Sequence, residues 1–401
     1  MDKATIRDFA NVKGKRVFLR SDLNVSQDKD GNITDDTRIR ASLDTIRYLV
    51  DKGARVILCS HLGRPKTKAD TQYTLKPVHE RLCELLPNVK VLMAPDCIGS
   101  EVEKMVSELG DGQILLLENI RFYAEEPEND PAFAKKLSQL ADYYVNDAFG
   151  VSHRAHASLE GITKYLPSVA GFLMEKEIKI LGEAISNPRR PLTVIIGGKK
   201  VSDKIGVIDG LLKVANTILI GGGLGYTFAK AAGGEVGDSI VDEESIEYCK
   251  QVVKEAKKLG VTLVTSLDSV IADGFSNDAH TMIVQTTKIP AGWEGLDIGE
   301  KTIDEFKKHI AKSGTIIWCG PLGVFEMEKF ANGTKQIANA ILESGAVTII
   351  GGGDSVAAVT KFGLASKFTL VSTGGGASLE FLEGKKFASV EALLGKNVKI
   401  S

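Results

Sequence analysis

Along the chain, short apolar runs alternate with longer segments whose apolar residues recur every three or four positions. Residues 16–19, 55–59, 89–93, 114–117 and 143–145 are runs of the first kind. Between them Ile39, Leu43, Ile46 and Val50, then Val78, Leu82 and Leu85, then Val102, Met105 and Leu109 keep helical spacing. This alternation predicts a parallel sheet with helices on both faces. One long helix follows over 174–186, stopped at Asn187-Pro188 and again by Pro191. The alternation then resumes, with strands at 192–196, 217–220, 261–265, 315–318, 347–350 and 368–371 and helices at 243–259, 303–312 and 333–344. The pattern is that of two doubly wound α/β domains, bridged by the helix at 174–187.

The turns that follow the strands differ between the halves. In the first half they hold Arg20-Ser21-Asp22-Leu23-Asn24, Ser60-His61-Leu62-Gly63-Arg64-Pro65, Glu118-Asn119-Ile120-Arg121 and the stretch from Asn146 to Arg154. In the second half they hold glycine: Gly197-Gly198, Gly221-Gly222-Gly223, Gly320-Pro321, Gly351-Gly352-Gly353-Asp354 and Gly374-Gly375-Gly376. Ligands of open α/β sheets bind beyond the carboxyl ends of the strands. One half is therefore suited to a small anion and the other to nucleotide phosphates, which suggests group transfer between two substrates.

A chain of 401 residues exceeds one ordinary core, in keeping with two domains. Hydrophobic content of 43% and charged content of 25% are those of a soluble globular protein. A formal net charge of −2 argues against general binding to nucleic acid or membrane surfaces, which needs a basic field over a whole face. The cysteines at 59, 83, 97, 249 and 319 are odd in number and lack Cys-x-x-Cys spacing, so neither a disulfide framework nor a zinc site is expected. They read as reduced thiols of an intracellular protein. No apolar run approaches the roughly 20 residues of a membrane span, and the start, Met1-Asp2-Lys3-Ala4, lacks a signal pattern. A soluble, cytoplasmic protein is expected.

Successive glycines after a strand let backbone N–H groups converge on phosphate oxygens, aided by the following helix N-terminus. Several such turns in one domain favour this over ordinary tight connections. The chain has neither a Gly-x-x-x-x-Gly-Lys-[Ser/Thr] loop nor a convincing Gly-x-Gly-x-x-Gly in its first βα unit, which disfavours a P-loop enzyme and a dinucleotide oxidoreductase. Lys200 and Lys204 are four apart and share one side of any helix formed there. Plain solvation and phosphate contact are both open to them, the preceding glycines favouring phosphate. Asp354 suits an N-cap and also the single carboxylate that Mg²⁺ takes beside phosphate oxygens and water. Arg20, Arg38, Arg64, Arg121 and Arg154, with His61 and His153, offer anion-binding groups. Arg20 is the weakest of these, since it can simply end a strand.

These residues resemble the phosphoglycerate kinase family, over essentially the whole chain. The motifs are Arg20-Ser21-Asp22-Leu23-Asn24-Val25, residues 60–65, Leu116-Leu117-Glu118-Asn119-Ile120-Arg121-Phe122, 146–156, 197–204, Gly292-Trp293-Glu294-Gly295-Leu296-Asp297, 318–326, 351–355 and 372–378. The resemblance implies two Rossmann-like doubly wound parallel-sheet domains joined by a helical hinge. A phosphoglycerate-binding domain would span 1–173 with a C-terminal return at 386–401, and a nucleotide-binding domain 188–385. It implies a monomer that, with Mg²⁺, reversibly transfers a phosphoryl group between 1,3-bisphosphoglycerate and ADP, giving 3-phosphoglycerate and ATP. By similarity Asp22, Asn24, Arg38, His61, Arg64, Arg121 and Arg154 would hold phosphoglycerate. Lys200, Lys204, Gly222, Leu296, Glu326, Gly351, Gly352, Gly353, Asp354 and Ser355 would hold the nucleotide, Glu326 on the ribose and Asp354 on the metal. Arg38, Lys204 and the amides of Gly374, Gly375 and Gly376 would stabilise the transferring phosphoryl group. Ser21, Ser26, Lys199 and Cys319 depart from the family's usual residues, Cys319 standing for an Asn expected next to the nucleotide phosphates. Lys199 and Cys319 motivate the alternative, a catalytically impaired nucleotide-binding member.

Overall fold

In the structure, a computed structural model, residues 3–396 and 398 are described. The expected C-terminal return therefore lies outside the described residues at 397 and 399–401, as does the start of the chain at Met1 and Asp2. One compact unit comprises Met1–Lys179 with Lys386–Ser401 and a second comprises Ile180–Lys385.

The first unit contains β1 (Arg16–Ser21), β2 (Ser26–Gln27), β3 (Ile33–Asp35), α1 (Thr37–Asp51), β4 (Arg55–Cys59), α2 (Lys76–Leu85), β5 (Val91–Met93) and α3 (Ser100–Glu108). It continues with β6 (Ile114–Leu116), α4 (Pro131–Ser138), β7 (Tyr143–Asp147) and β8 (Ser168–Ala170), and the unit boundary falls within α5 (Phe172–Ser186). Six strands form a parallel sheet in the order β5-β6-β4-β1-β7-β8. Alternate strand residues face opposite sides: Val17, Leu19, Val56 and Leu58 join Ile39, Ile46, Val78 and Leu82 of the helices in one core. Phe18 and Tyr144, 6.2 Å apart, are buried on the opposite face. Sheet burial on both sides is why these strands read as continuous apolar runs.

The second unit contains β9 (Leu192–Ile196), α6 (Ile205–Leu212), β10 (Thr217–Ile220), α7 (Gly223–Ala231), β11 (Glu235–Val236), α8 (Ile246–Leu259), β12 (Thr262–Thr265), β13 (Asp268–Ala272), β14 (Thr281–Gln285), β15 (Lys288–Ile289) and β16 (Glu294–Ile298). It ends with α9 (Glu300–Ile310), β17 (Thr315–Cys319), α10 (Asn332–Glu343), β18 (Val347–Gly351), α11 (Gly353–Lys361), β19 (Leu370–Val371) and α12 (Gly376–Leu382). Its parallel sheet runs β12-β10-β9-β17-β18-β19. Numbering only the sheet strands, that is the 3-2-1-4-5-6 order of the Rossmann fold. The first sheet has the order 3-4-2-1-5-6 instead. An antiparallel sheet, β14-β13-β16, is an element that the apolar pattern did not predict.

Asp147 closes β7 and caps the start of α5. Its Oδ1 accepts from the N–H groups of Leu173 (2.9 Å) and Met174 (3.1 Å), while Thr45 Oγ1 accepts from Phe172 N (2.9 Å). The carboxyl is fully buried, and burial raises it to about 6 from 3.8 against the opposing hydrogen bonds. Because the folded pKa exceeds the unfolded one, the folded state binds the proton more tightly. This contribution is complete below about pH 3.8 and is lost as pH rises through about 6. We expect Asp147→Asn, which keeps the capping oxygen, to be relatively more stable at pH 7 than at pH 4.5 in denaturant melts. The difference between these two pH values should be about 2 kcal/mol. A variant relatively weaker at pH 7 would mean that the ionised cap is required.

Candidate functional site

In the first sheet the strand order reverses between β1 and β7, the place where open α/β sheets collect ligands. Three turns near it are fastened together by side-chain amides. Asn24 Oδ1 accepts from Gly63 N (2.7 Å), and Asn119 Oδ1 accepts from Leu62 N (3.2 Å). Asn119 Nδ2 donates to the carbonyls of Leu62 and Tyr73, each at 2.8 Å. Arg121 Nη1 adds a bond to Gly63 O at 2.8 Å. The result is a cavity of about 400 Å³ lined by Arg64, Lys66, Arg121, Tyr123, Arg154 and His156 among others. Burial, then repulsion from Arg20 and Arg154, lowers Arg121 to about 10, so it remains cationic at neutral pH.

Asp22, Asn24, Arg38 and His61 do not line that cavity. Asp22, nearly buried, binds Arg38 in an ion pair and lies 3.9 Å from His61 Nδ1. His61 Nδ1 is 3.3 Å from Arg20 Nη2. A guanidinium only donates, so Nδ1 accepts and the ring proton sits on Nε2. Burial, reinforced by Arg20, Arg121 and Arg38, drives His61 well below its usual value, so it is a neutral donor and not a cation. Arg20 is fully buried and donates to Ser158 Oγ (2.9 Å), so it is more than a strand end. Sequence reading missed Lys66 and His156 on the cavity wall, and Glu126 behind it. Glu126 is fully buried, accepts from Ser158 N (2.8 Å) and Oγ (2.7 Å), and lies 3.6 Å from His156 Nδ1. Burial opposes its ionisation, but His156, Arg20 and Ser158 together hold it below the usual carboxylate value.

In the second unit the order reverses between β9 and β17, and the two turns there interlock. Gly197 N donates to Cys319 O (3.0 Å) and Gly198 N to Pro321 O (2.9 Å). A Cβ on Gly197 would lie 2.1 Å from Pro321 O, so only glycine lets these strands meet. Gly222, at φ 63°, approaches the same carbonyl. Around them lies a cavity of about 590 Å³ lined by Lys199, Gly222, Tyr226, Leu296, Glu326 and Asp354 among others. Tyr226 packs on Gly295, and Phe275, Glu294, Val324 and Met327 complete one wall. Of these, Glu294, Gly295 and Val324 fall within the sequence motifs, whereas Tyr226, Phe275 and Met327 lie outside every one of them.

The remaining candidates are differently placed. Lys204, the residue before α6, runs between two glycine turns: a Cβ on Gly198 would lie 3.8 Å from its Cε, and one on Gly352 3.9 Å from its Nζ. Lys200 lies outside the cavity wall and precedes the helical residues, so the two lysines share no helix. Ser355 is buried and its Oγ accepts from Gly320 N at 2.5 Å, tying α11 to the end of β17. Gly351 ends β18 and Gly352 precedes α11. Gly353 opens α11, so Asp354 sits inside the helix and makes no capping bond. That corrects its N-cap reading and leaves the exposed carboxylate directed to the cavity. Gly374 N donates to Ser372 Oγ (3.1 Å), so of the expected glycine amides only those of Gly375 and Gly376 are left for a ligand. Cys319 is fully buried, 3.4 Å from a Cβ placed on Gly351, and burial raises its thiol to about 11. It is packing beneath the turn, not a wall of the cavity.

The first unit thus carries an arginine-lined cavity and the second a glycine-walled one. The phosphoglycerate kinase family profile matches residues 6–385. The chain belongs to the phosphoglycerate kinase family. It is 57% identical over 388 residues to the cytosolic phosphoglycerate kinase 3 of Arabidopsis thaliana, covering 96% of each chain. It is 54% identical to the chloroplastic phosphoglycerate kinase 1 of the same plant, over 98% of this chain and 82% of the relative. The structure of phosphoglycerate kinase from Coxiella burnetii superposes with a TM-score of 0.88 at 37% identity, covering 97% of this chain and 98% of that one.

Proposed function

We infer that the first unit holds the phosphoglycerate and the second the nucleotide in the family's reaction. That reaction transfers a phosphoryl group reversibly between 1,3-bisphosphoglycerate and ADP, giving 3-phosphoglycerate and ATP. The observation that carries the assignment is the convergence of Arg64, Arg121 and Arg154, from turns after three strands, on one cavity. Planar guanidinium groups at that density suit a carboxylate and a phosphate on one small molecule. In the ATP-forming direction an ADP phosphate oxygen attacks the acyl phosphorus, the bond to the acyl oxygen breaks and a carboxylate leaves. No proton moves, so alignment and charge neutralisation suffice. Arg38 and Lys204 are assigned to neutralising charge on the transferring group, with the free amides of Gly375 and Gly376. Lys200 and Ser355 act, in this reading, through the phosphate turns they flank.

Asp354 fits Mg²⁺ by chemistry: an exposed carboxylate not used as a cap, on the wall of the nucleotide cavity. No group of three or more His, Cys, Asp or Glu that could hold a metal alone occurs among the described residues. A magnesium ion here would therefore draw most of its ligands from phosphates and water, and would supply charge neutralisation at the phosphates. Asp354→Asn is expected to raise the Mg²⁺ concentration needed for half-maximal activity with little change in melting temperature. Loss of stability with an unchanged Mg²⁺ requirement would assign the carboxylate to the fold.

The departures at Lys199 and Cys319 do not favour an impaired binding protein. Lys199 adds a cation to the cavity wall and Cys319 is buried beneath it. No described helix is long and apolar enough to cross a membrane. Likeness to relatives named cytosolic supports a cytosolic enzyme as the working assignment, and the family resemblance implies a monomer. Calorimetry with ADP and NAD tests the nucleotide site: ADP should bind and NAD should not, and the reverse would return the oxidoreductase reading.

A further inference from the structure

The turn that brings Arg64 and Lys66 to the arginine cavity is pinned at its root by Asn24 and Arg121, both bonded to Gly63. Beyond the root, the chain folds on itself: Asp70 Oδ2 accepts from the N–H groups of Lys66 (2.6 Å) and Thr67 (3.3 Å). Lys68, at the tip of this fold, reaches across two neighbouring turns. Its ammonium donates to Asp96 Oδ2 (2.6 Å) and to the Tyr123 hydroxyl (2.8 Å), and lies 4.2 Å from the Tyr123 ring centroid. The Tyr123 hydroxyl in turn donates to Asp96 Oδ1 (2.8 Å), and its ring stacks on Phe133 with centroids 4.8 Å apart.

Lys68 follows β4, Asp96 follows β5 and Tyr123 follows β6, three strands adjacent in the sheet. A closed triangle at the carboxyl ends of neighbouring strands differs from an isolated surface ion pair, whose worth is small. Each member makes two polar contacts, and the ring adds a cation–π contact. Tyr123 is itself on the cavity wall. Partial burial opposes the charges of Lys68 and Asp96, but their mutual hydrogen bonds keep lysine raised and aspartate lowered, and burial pushes Tyr123 up to about 12. The triangle therefore stays charged and closed across the neutral range.

We propose that Lys68, Asp96 and Tyr123 form a latch that holds the segment bearing Arg64 and Lys66 over the anion cavity, with Lys68 a positioning residue for the phosphoglycerate. This rests on the reading that the cavity takes phosphoglycerate. Without the latch, the tip of the segment keeps only its internal bonds to Asp70 and the anchors at its two ends, Gly63 and Tyr73, and part of the binding energy goes to ordering it.

The test compares the full chain with Lys68→Met, Lys68→Arg and Tyr123→Phe. Lys68→Met should raise KM for 3-phosphoglycerate about three- to tenfold, with kcat and KM for Mg-ATP within about twofold. Lys68→Arg, whose guanidinium can bond both partners, should restore KM. Adding Tyr123→Phe to Lys68→Met should cost little more, because the two side chains act together. Hydrogen exchange over residues 64–70 should speed up in Lys68→Met. An unchanged KM, or a lower melting temperature with KM unchanged, would overturn the latch. If the parent chain shows no 3-phosphoglycerate-dependent turnover, the functional reading fails instead. Exchange over 64–70 then decides the latch alone, and unaltered exchange in Lys68→Met would overturn it.

Discussion

Arg38→Ala and Lys204→Ala are each expected to lower kcat about 100-fold while changing either KM far less. A displacement at phosphorus without a general base depends on charges already in place when the negative charge redistributes over the phosphoryl oxygens. Losing one such pre-placed donor costs on the order of 3 kcal/mol. Arg38 is pre-placed by its ion pair with the nearly buried Asp22, and Lys204 by its course between the turns at Gly198 and Gly352. Truncating Arg38 also strands the Asp22 carboxylate, so some loss of stability should accompany the loss of rate. Adding Asp22→Asn to Arg38→Ala should recover stability without recovering kcat, which separates the two effects. Steady-state kinetics beside thermal melts read both; unchanged kcat in both alanine variants would remove these residues from the chemistry.

Gly353→Ala and Gly376→Ala are expected to impair the enzyme while leaving the fold as stable or slightly more so. Both glycines open helices, α11 and α12, at ordinary negative φ, and a Cβ on either would meet nothing within 4 Å. Alanine there should stabilise by about 0.5 kcal/mol or more through the unfolded chain and helix propensity. The fold thus gives no reason for glycine at these exposed positions. Close approach of a phosphate to the backbone does, since a methyl group would stand between the amides and the ligand. A loss in kcat/KM for Mg-ATP of about tenfold or more, with an unchanged or raised melting temperature, is the expected result. Variants with full activity would show that no ligand comes near these turns. Gly197→Ala is the contrast, since its Cβ would collide with the Pro321 carbonyl and damage the fold itself.

Much of this organisation is legible in the sequence because parallel strands buried on both faces leave uninterrupted apolar runs. The runs at 55–59, 192–196 and 217–220 coincide with β4, β9 and β10. Strand order is not written in such runs, and the first sheet's 3-4-2-1-5-6 order emerges only in three dimensions. The antiparallel sheet escaped because β16 carries glycine and two carboxylates, while β14 is largely exposed. The apolar run of β14, Met282-Ile283-Val284, is only three residues long and lies mostly exposed.

Among site residues, Arg64, Arg121 and Arg154 were visible because each stands just after a strand. His156 was not, because its place depends on Glu126, thirty positions away in a separate turn and buried beneath it. Lys200 and Asp354 were misjudged in local geometry for one reason, that the helices begin elsewhere than the spacing suggested. Residues 197–201 stay non-helical, with Ser202 N bonded to Asp242, and α11 starts one residue ahead of Asp354. The departure at Cys319 looked functional in sequence because it falls in a motif that the resemblance places at the nucleotide phosphates; its fully buried side chain makes it a packing residue.

The purified chain should consume ATP only when 3-phosphoglycerate and Mg²⁺ are both present. Coupled detection of ADP, with hydroxylamine trapping of the acyl phosphate, measures this in one experiment. Equal amounts of ADP and trapped hydroxamate, both abolished by omitting either the acid or the metal, are the expected result. ATP consumption independent of 3-phosphoglycerate, or none in its presence, would contradict the assignment of the arginine cavity and the glycine-walled cavity to one phosphoryl transfer.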